Sequence, residues 1–115
     1  APRDYVTRTS DYIRANYALP VSIESIASML GIDRRYLSRI FLHETGMTPK
    51  EYLVRIRLSR AADLLENSSC TVTETARSVG YDDVYNFSKI FKKKYGISPA
   101  YYRQQTASLI KEKDD

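Results

Sequence analysis

Apolar side chains recur at intervals of about three or four residues along almost the whole chain, which is the spacing of one face of an α-helix. Phe87, Ile90 and Phe91 show this spacing within the segment GYDDVYNFSKIFKKKYG. No segment keeps the strict alternation of apolar and polar residues that a half-buried β-strand requires. The pattern therefore predicts an all-α protein.

Capping residues and glycines divide this pattern into seven predicted helices. Serine, threonine or aspartate before an apolar run is a typical N-cap, and glycine after the run is a typical helix end. The segments TPKE and TVTE have the spacing of a capping box, with Thr48 and Thr71 as N-caps. The predicted helices span residues 5–16, 23–30, 34–45, 49–66, 72–80 and 99–110, with one more that is capped by Asp82 or Asp83 and ends at residue 95, and a frayed tail KEKDD.

The same helical phrase occurs twice in the chain. Gly80 follows Gly31 by 49 positions (80 − 31), and Phe91 follows Phe41 by 50 (91 − 41), so the second copy has one additional residue in its turn. In each copy an alanine lies four positions before the glycine, and a basic helix follows the turn.

A small residue lets two helices approach closely, and glycine permits the positive φ of a tight turn. This is the arrangement of a helix-turn-helix, whose second helix enters the major groove of DNA. We predict one such subdomain at about 5–48, a second at about 71–110, and a spacer helix at about 49–66.

On each predicted second helix, basic and hydroxyl side chains lie opposite the apolar ones when residues are placed at about 100° intervals. Arginine can fork onto guanine, serine can reach several base edges, and lysine can contact guanine or phosphate. The outer arcs contain Arg35, Ser38, Arg39 and Leu42 in the first copy and Tyr85, Ser88, Lys89 and Lys92 in the second, and the core arcs contain Tyr36, Leu37, Ile40 and Phe41 in the first and Phe87, Ile90 and Phe91 in the second.

The predicted spacer helix has two apolar arcs rather than one. A helix with two apolar stripes can hold two subdomains in a fixed relation. Two recognition helices would then read successive major-groove segments, about 34 Å apart on one face of the duplex. The two arcs consist of Val54, Leu58, Ala61 and Leu65 and of Leu53, Ile56 and Leu64.

Net charge and cysteine content indicate the kind of partner and the cellular compartment of the chain. Its 115 residues carry a net charge of +4, which favours a polyanionic partner. The single cysteine, Cys70, excludes an intramolecular disulfide and favours a reducing compartment, the cytoplasm. No apolar run approaches the length of a membrane span. The chain does not begin with Met, so we expect a piece of a longer protein.

Three segments together carry a family resemblance that extends from about Tyr5 to Arg103. They are SIESIASMLGIDRRYLSRIFLHETGMTPKEYL, RLSRAADLLENS and TVTETARSVGYDDVYNFSKIFKKKYGISPAYYR. The last one follows the pattern G-[FY]-x-[DE]-x-x-x-F-x-[RK]-x-F-[KR]…G-x-[ST]-P-x-x-[FY]-R. In these segments the chain resembles the DNA-binding domain of the AraC/XylS family of bacterial transcription regulators.

The resemblance implies a fold of seven helices, no enzymatic activity, and binding to promoter DNA by both helix-turn-helix units. It also implies contact with RNA polymerase, as in activators of this family, and a signal that enters through a sensor domain of the full-length chain. Base-contacting positions of the family correspond here to Arg35, Ser38 and Arg39 and to Val84, Tyr85, Ser88 and Lys89. From the charge pattern we add backbone contacts by Arg34, Lys92 and Lys93.

Two departures from the family pattern concern the second copy. Thr75 occupies a position where the family usually has a large aliphatic residue, so we expect a looser core there. Val84 and Tyr85 are poor hydrogen-bonding partners for bases, although valine can contact a thymine methyl and tyrosine a phosphate. We therefore expect weaker sequence discrimination by the second unit.

Other functions fit the sequence less well. A helical module that docks proteins should have an apolar and aromatic outer face, but these faces contain Arg35, Arg39 and Lys89. The only histidine, His43, has no cysteine or carboxylate at metal-ligand spacing, and no Walker, Rossmann or paired-carboxylate motif occurs. We therefore expect no enzyme, no metal and no cofactor. For Arg57, between the two apolar arcs, we expect a structural ion pair with Asp82 or Asp83 rather than DNA contact.

Overall fold

The computed structural model describes the backbone of residues 1–114 and the side chains of residues 1–107. Within these residues the chain forms seven α-helices and no β-strand, which confirms the all-α prediction. The helices are α1 (Pro2–Asn16), α2 (Ile23–Leu30), α3 (Arg34–Thr45), α4 (Pro49–Asn67), α5 (Val72–Ser78), α6 (Val84–Tyr95) and α7 (Pro99–Asp114).

Four helix ends differ from the prediction, and the smallest difference is at α4, which ends at Asn67 rather than at residue 66. α1 begins at Pro2 rather than Tyr5, because proline is well suited to the first helical position. α5 ends at Ser78 rather than Gly80, with Val79 as its C-cap. α7 continues to Asp114, so the predicted frayed tail is helical up to that residue. Nothing between Pro99 and Asp114 is glycine or proline, so no residue of that stretch ends the helix.

Other helices begin where the sequence predicts, and side-chain caps stabilise their N-termini. The Ser22 hydroxyl accepts a hydrogen bond from the Ser25 N–H. Of the two candidates before α6, Asp83 is the cap, because its carboxylate accepts from the N–H groups of Tyr85 and Asn86. At α5 both bonds of the Thr71–Glu74 capping box are formed, at 3.0 and 2.9 Å. These bonds satisfy backbone donors that a helix leaves unpaired at its N-terminus.

The chain packs as two compact units, and the division falls within α4, after Arg57. In the first unit, Ala1–Arg57, α1 and α2 both pack on α3. The ring of Phe41 meets Tyr52 edge-on, with centroids 5.7 Å apart. The buried core of this unit consists of Val6, Ile13, Ile26, Ala27, Leu37, Ile40, Phe41 and Leu53.

Arg57 has a structural role in the first unit. Its Nε donates to the carbonyl of Tyr17 at 2.7 Å, and its Nη2 donates to the carbonyl of Leu19 at 3.0 Å. These carbonyls follow the end of α1, where a helix leaves acceptors unpaired. The expected ion pair with Asp82 or Asp83 stays a prediction.

The second unit begins at Leu58, and in it α6 packs on α5 and on α7. Phe91 contacts Phe87, Tyr95 and Tyr102, with ring centroids 4.4 to 5.8 Å apart. Burial raises the pKa of the Tyr95 and Tyr102 phenols. The buried apolar residues of the second unit are Leu58, Ala61, Ala62, Leu65, Ala76, Val79, Tyr81, Phe87 and Phe91.

Thr75 lies fully buried in this second unit. Its hydroxyl has no hydrogen-bond partner among the described residues. A buried polar group without a partner costs free energy, because it has lost its bonds to water. The position that departs from the family pattern is therefore a site of unsatisfied polarity.

Candidate nucleic-acid interface

The first helix-turn-helix consists of α2, a short turn and α3. The turn begins at Gly31, whose φ of 73° is in the left-handed region. The Ile32 N–H then bonds back to the carbonyl of Ala27, which is buried between the helices. Asp33 caps α3 by accepting from the Arg35 and Tyr36 N–H groups. The turn thus holds α3 at a defined angle, as a recognition helix requires.

α3 has one buried face and one outward face. Leu37 and Phe41 are completely buried on the inner side. Arg35 and Arg39 are exposed, and Ser38 is half-buried between them. All three predicted base-reading residues of the first unit therefore lie together on the outward face.

The second helix-turn-helix repeats this geometry with α5 and α6. The Tyr81 N–H bonds to the carbonyl of buried Ala76, as Ile32 does to Ala27 in the first copy. Tyr85 is 83% exposed, far more than any other large apolar or aromatic side chain among those described. Lys89 is also exposed, whereas Val84 and Ser88 are half-buried.

A shallow depression of about 400 Å³ lies on the outward side of α6. It is lined by Asp83, Tyr85, Asn86 and Lys89. The Asp83 carboxylate is already engaged with two backbone N–H groups at the helix start. Tyr85, Asn86 and Lys89 are therefore the side chains of this depression that remain available for an anionic ligand.

The basic residues are distributed differently along α3 and α6, although Arg39 and Lys89 occupy corresponding positions. In α3 the arginines 34, 35 and 39 lie in the first two turns, and the last turns carry Leu42, His43 and Glu44. In α6 the first turn carries Val84, Tyr85 and Asn86, and the lysines 89, 92, 93 and 94 follow. Arginine and lysine side chains are therefore present at the start of α3 but not at its end, and at the end of α6 but not at its start.

Two contacts of these basic residues were not predicted from the sequence. Arg34 forms an ion pair with Glu24 of α2, with an N–O distance of 2.8 Å. The guanidinium of Arg39 lies over the ring of Tyr36, 5.5 Å from its centroid. The second contact joins residues three apart on one helix, a spacing that the sequence shows. The first joins residues ten apart and depends on the turn between α2 and α3.

Four other predicted contact residues are cations without an ion pair among the described side chains. Among the side chains that the structure describes, Arg35, Lys89, Lys92 and Lys93 take part in no ion pair. An unpaired cation on a helix face can approach a phosphate without first breaking a salt bridge.

Across the described part of the chain, no three His, Cys, Asp or Glu side chains form a group able to hold a metal ion. No helix in that part is long and apolar enough to cross a membrane.

Comparison with known proteins identifies the family of this architecture. A family model described as a helix-turn-helix domain matches residues 26–105. An AraC-type DNA-binding-domain regulator from Chromobacterium violaceum superposes with a TM-score of 0.83 and 30% identity, over 91% of this chain and 94% of that one. The chain belongs to the AraC/XylS family. It is thereby placed among DNA-binding transcription regulators and not among enzymes.

Curated relatives of this AraC/XylS-family domain regulate operons. The Msm operon regulatory protein of Streptococcus mutans is 36% identical over 88% of this chain and 36% of its own length. The lactose operon transcription activator of Staphylococcus xylosus is 39% identical over 81% of this chain and 33% of its own length. The chain therefore spans about a third of the length of these relatives.

Two further solved structures share the fold. The C-terminal domain of AraT, a response regulator from Geobacillus stearothermophilus, has a TM-score of 0.85 and 36% identity, covering 88% of this chain and 84% of that one. The DNA-binding domain of AdpA, a global transcriptional factor solved in complex with a target DNA, has a TM-score of 0.79 and 26% identity, covering 94% of both chains.

Proposed function

We propose that this AraC/XylS-family domain binds a specific double-stranded DNA site with both recognition helices, α3 and α6. The observation that supports this most directly is the two-sided character of each helix. Phe41 and Phe91 are completely buried on the inner sides, while Arg39 and Lys89 are exposed on the outer ones. A helix with this division can pack on its own unit and still insert its polar side into a major groove.

The outward residues divide into base readers and backbone anchors. Arginine provides two-pronged recognition of guanine, and exposed lysine attracts phosphate. Tyr85 extends beyond the surface at the start of α6, where its ring can contact a base edge or phosphate. The proposed base readers are Arg35, Ser38, Arg39, Val84, Tyr85, Ser88 and Lys89, and the proposed backbone anchors are Arg34, Lys92 and Lys93.

The proposed arrangement on DNA is tandem. Each unit contributes one recognition helix, and a monomer would read two successive major-groove segments about one helical turn apart. The repeat in the sequence supports this, because both copies form the same backbone hydrogen bond across the turn and have the same outward register, although the second turn is one residue longer. The subdomain limits that we propose remain about 5–48 and 71–110, with the spacer helix between them.

The full-length protein is proposed to be a bacterial, cytoplasmic transcription activator. A relative named as a lactose operon transcription activator supports activation. Because the chain spans only about a third of its curated relatives, a sensor domain elsewhere in the same protein is the proposed source of the signal. RNA polymerase is the proposed partner at the promoter.

Selection from a random duplex library tests the proposal. The purified domain is used to enrich binding sites, and its affinity for the winner and for a scrambled duplex is measured across salt concentrations. We expect one asymmetric site with two short blocks about one helical turn apart. Enrichment of only one block would limit base reading to one unit. No enrichment, with equal affinity and equal salt dependence on both duplexes, would contradict sequence-specific binding.

A further inference from the structure

We propose that Tyr36 is a positioning residue for Arg39, whose guanidinium it holds ready on the outward face of α3 before DNA arrives. The inference rests on the proposed DNA-binding function and deepens it, because it names the residue that makes the first unit the more discriminating one. It is supported by two contacts of the Tyr36 ring, one with Tyr5 and one with Arg39.

The Tyr36 ring is anchored by its packing within the first unit. The side chain is half-buried and packs against the core of the first unit. It meets the ring of Tyr5, in α1, edge-on, with centroids 6.5 Å apart and planes at 80°. Tyr5 packs against the same core. An aromatic ring held by a packed neighbour in this geometry has little freedom to turn.

The other contact of the ring is with Arg39. The Cζ atom of Arg39 lies 5.5 Å from the Tyr36 ring centroid, within the range of a cation–π interaction. Residues three apart on a helix are neighbours, so the contact needs no distortion of α3. A planar guanidinium stacks well on an aromatic face. The Tyr36 ring therefore restrains a side chain that otherwise samples many rotamers.

This restraint leaves the charge of Arg39 intact. Within the described side chains Arg39 has no carboxylate partner, whereas Arg34 is paired with Glu24. Stacking orients the guanidinium without occupying its N–H donors with an acceptor. Less conformational entropy is then lost when Arg39 binds a base, and affinity increases for the base pair that it fits.

The described residues of the second unit contain no equivalent contact between an aromatic ring and a cation. Asn86 occupies the position that corresponds to Tyr36, and Lys89 the position that corresponds to Arg39. In the described residues no aromatic ring lies beneath Lys89, and its depression is shared with Asp83, Tyr85 and Asn86. Lysine also presents a point charge rather than a two-pronged donor. Of the two recognition helices, only α3 thus combines a cation restrained by an aromatic ring with a side chain that can donate two hydrogen bonds to one base.

Substitutions at Tyr36 test the inference on the duplex selected by the wild-type domain and on a scrambled duplex. Tyr36→Leu removes the aromatic face, and we expect about two- to fivefold weaker binding to the selected duplex with unchanged binding to the scrambled one. Tyr36→Phe keeps the face and should bind like the wild type. In an Arg39→Ala background, Tyr36→Leu should cause no further loss, because the interaction is already absent.

Tyr12→Leu is the matched control. Tyr12 is also half-buried and packs against the same core, but its ring forms no cation–π contact with Arg39. Thermal unfolding verifies that each variant is folded at the assay temperature. In the free domain, ring-current shifts of the Arg39 side-chain protons should be present in the wild type and in Tyr36→Phe and lost in Tyr36→Leu.

Several outcomes would overturn the inference. Equal weakening on both duplexes, a Phe variant as weak as the Leu variant, or a further loss in the Arg39→Ala background would each assign Tyr36 a purely structural role. If the wild type lacks the ring-current shifts, Arg39 does not contact the Tyr36 ring in solution. In all these cases the wild type still selects a site, so the proposed function stands. If the wild type selects no site, the proposed function fails and the inference fails with it.

Discussion

Three arginines on the first two turns of α3 differ in what surrounds their charge. Arg34 is paired with Glu24, and Arg39 lies over the ring of Tyr36. Arg35 takes part in no ion pair within the described residues. Three arginines on one helix therefore differ in how readily each guanidinium can bind a polyanion, because their neighbouring side chains differ.

The Arg34–Glu24 pair predicts that Glu24 weakens DNA binding. Both side chains are more than half exposed, so the pair contributes little to stability, and a phosphate competes with the carboxylate for Arg34. We expect Glu24→Gln to raise affinity for any duplex by about two- to fivefold and to steepen the salt dependence by up to about one unit of slope. Binding titrations at several salt concentrations measure both quantities.

Glu44→Gln is the control for Glu24→Gln. It removes the same charge from the C-terminal part of α3, where Glu44 forms no ion pair with an arginine or lysine among the described residues. A gain equal to that of Glu24→Gln would mean that net charge alone matters and that Arg34 is not released by the first substitution.

The buried hydroxyl of Thr75 predicts a stabilising substitution. Valine has the same shape and removes a polar atom that has no partner among the described residues. We expect Thr75→Val to raise the free energy of unfolding by about 1 kcal/mol, measured by urea denaturation. Thr45→Val should have the opposite sign, because the Thr45 hydroxyl donates to the Phe41 carbonyl at 2.7 Å. Destabilisation by both substitutions would contradict the account of Thr75.

At the scale of helices, the placement of charge separates α3 from α6. The lysines of α6 are concentrated in its last turns, where they also interact favourably with the C-terminal end of the helix dipole. Leu42 of α3 corresponds to Lys92 of α6 and is 48% exposed. The same outward position is thus cationic in one unit and apolar in the other.

This difference predicts which helix contributes more to salt dependence. Lys92→Ala should weaken binding to all duplexes similarly and reduce the salt slope by about one, because one phosphate contact is lost. Leu42→Ala, the corresponding change in α3, should leave the slope unaltered. The slope of log affinity against log salt concentration is the measurement. An unaltered slope for Lys92→Ala would remove this residue from the interface.

The capping box of α5 predicts a pH-dependent contribution to stability. The hydrogen bond from the Thr71 backbone N–H, and secondly that involving its side chain, lower the pKa of Glu74 below its ordinary value of 4.5. The unfolded chain therefore binds the proton more readily than the folded one. The stabilisation by this carboxylate is complete above the ordinary pKa and is lost as the pH falls through the lower folded value.

Glu74→Gln tests the charge of this box while keeping an acceptor at the same position. The variant should be less stable than the wild type at about pH 7, and the difference should vanish at low pH, where the carboxyl group of the wild type is protonated in both states. Urea denaturation across this pH range measures the difference. A stability gap that is constant with pH would contradict the role assigned to the carboxylate.

At the scale of the whole molecule, each unit has a buried set of its own. Phe41 belongs to the first unit and Phe91 to the second, and both are completely buried. Units of this size bury a modest fraction of their surface on folding, so their free energy of unfolding is small. Removal of one buried aromatic side chain should therefore destabilise the unit that contains it before it destabilises the other unit.

Hydrogen exchange of backbone amides tests this expectation. Phe41→Ala should cost about 3–5 kcal/mol, and the amides of the first unit should lose protection before those of the second. Phe91→Ala is the reciprocal variant and should show the reverse order. Uniform loss of protection throughout the chain in both variants would show that the two units unfold as one.

What the sequence determined by itself is local. The positions of α2 and α3, the caps at Ser22 and Asp33 and the outward register of the recognition helices all follow from hydrogen bonds or periodicities that extend over about four residues. Such signals are complete within a short segment. For this reason the fold class and the outward position of the candidate base readers were predictable, whereas their contacts with DNA remain a proposal.

Only the tertiary structure decided what lies beside those residues. The pairing of Arg34 with Glu24, the bonds of Arg57 to carbonyls after α1 and the packing of Tyr5 on Tyr36 join positions 10 to 40 residues apart. No local pattern specifies such partners, because they depend on how the helices pack. The burial of the Thr75 hydroxyl was settled in the same way, since a single threonine in a helix does not reveal whether its hydroxyl meets water or core.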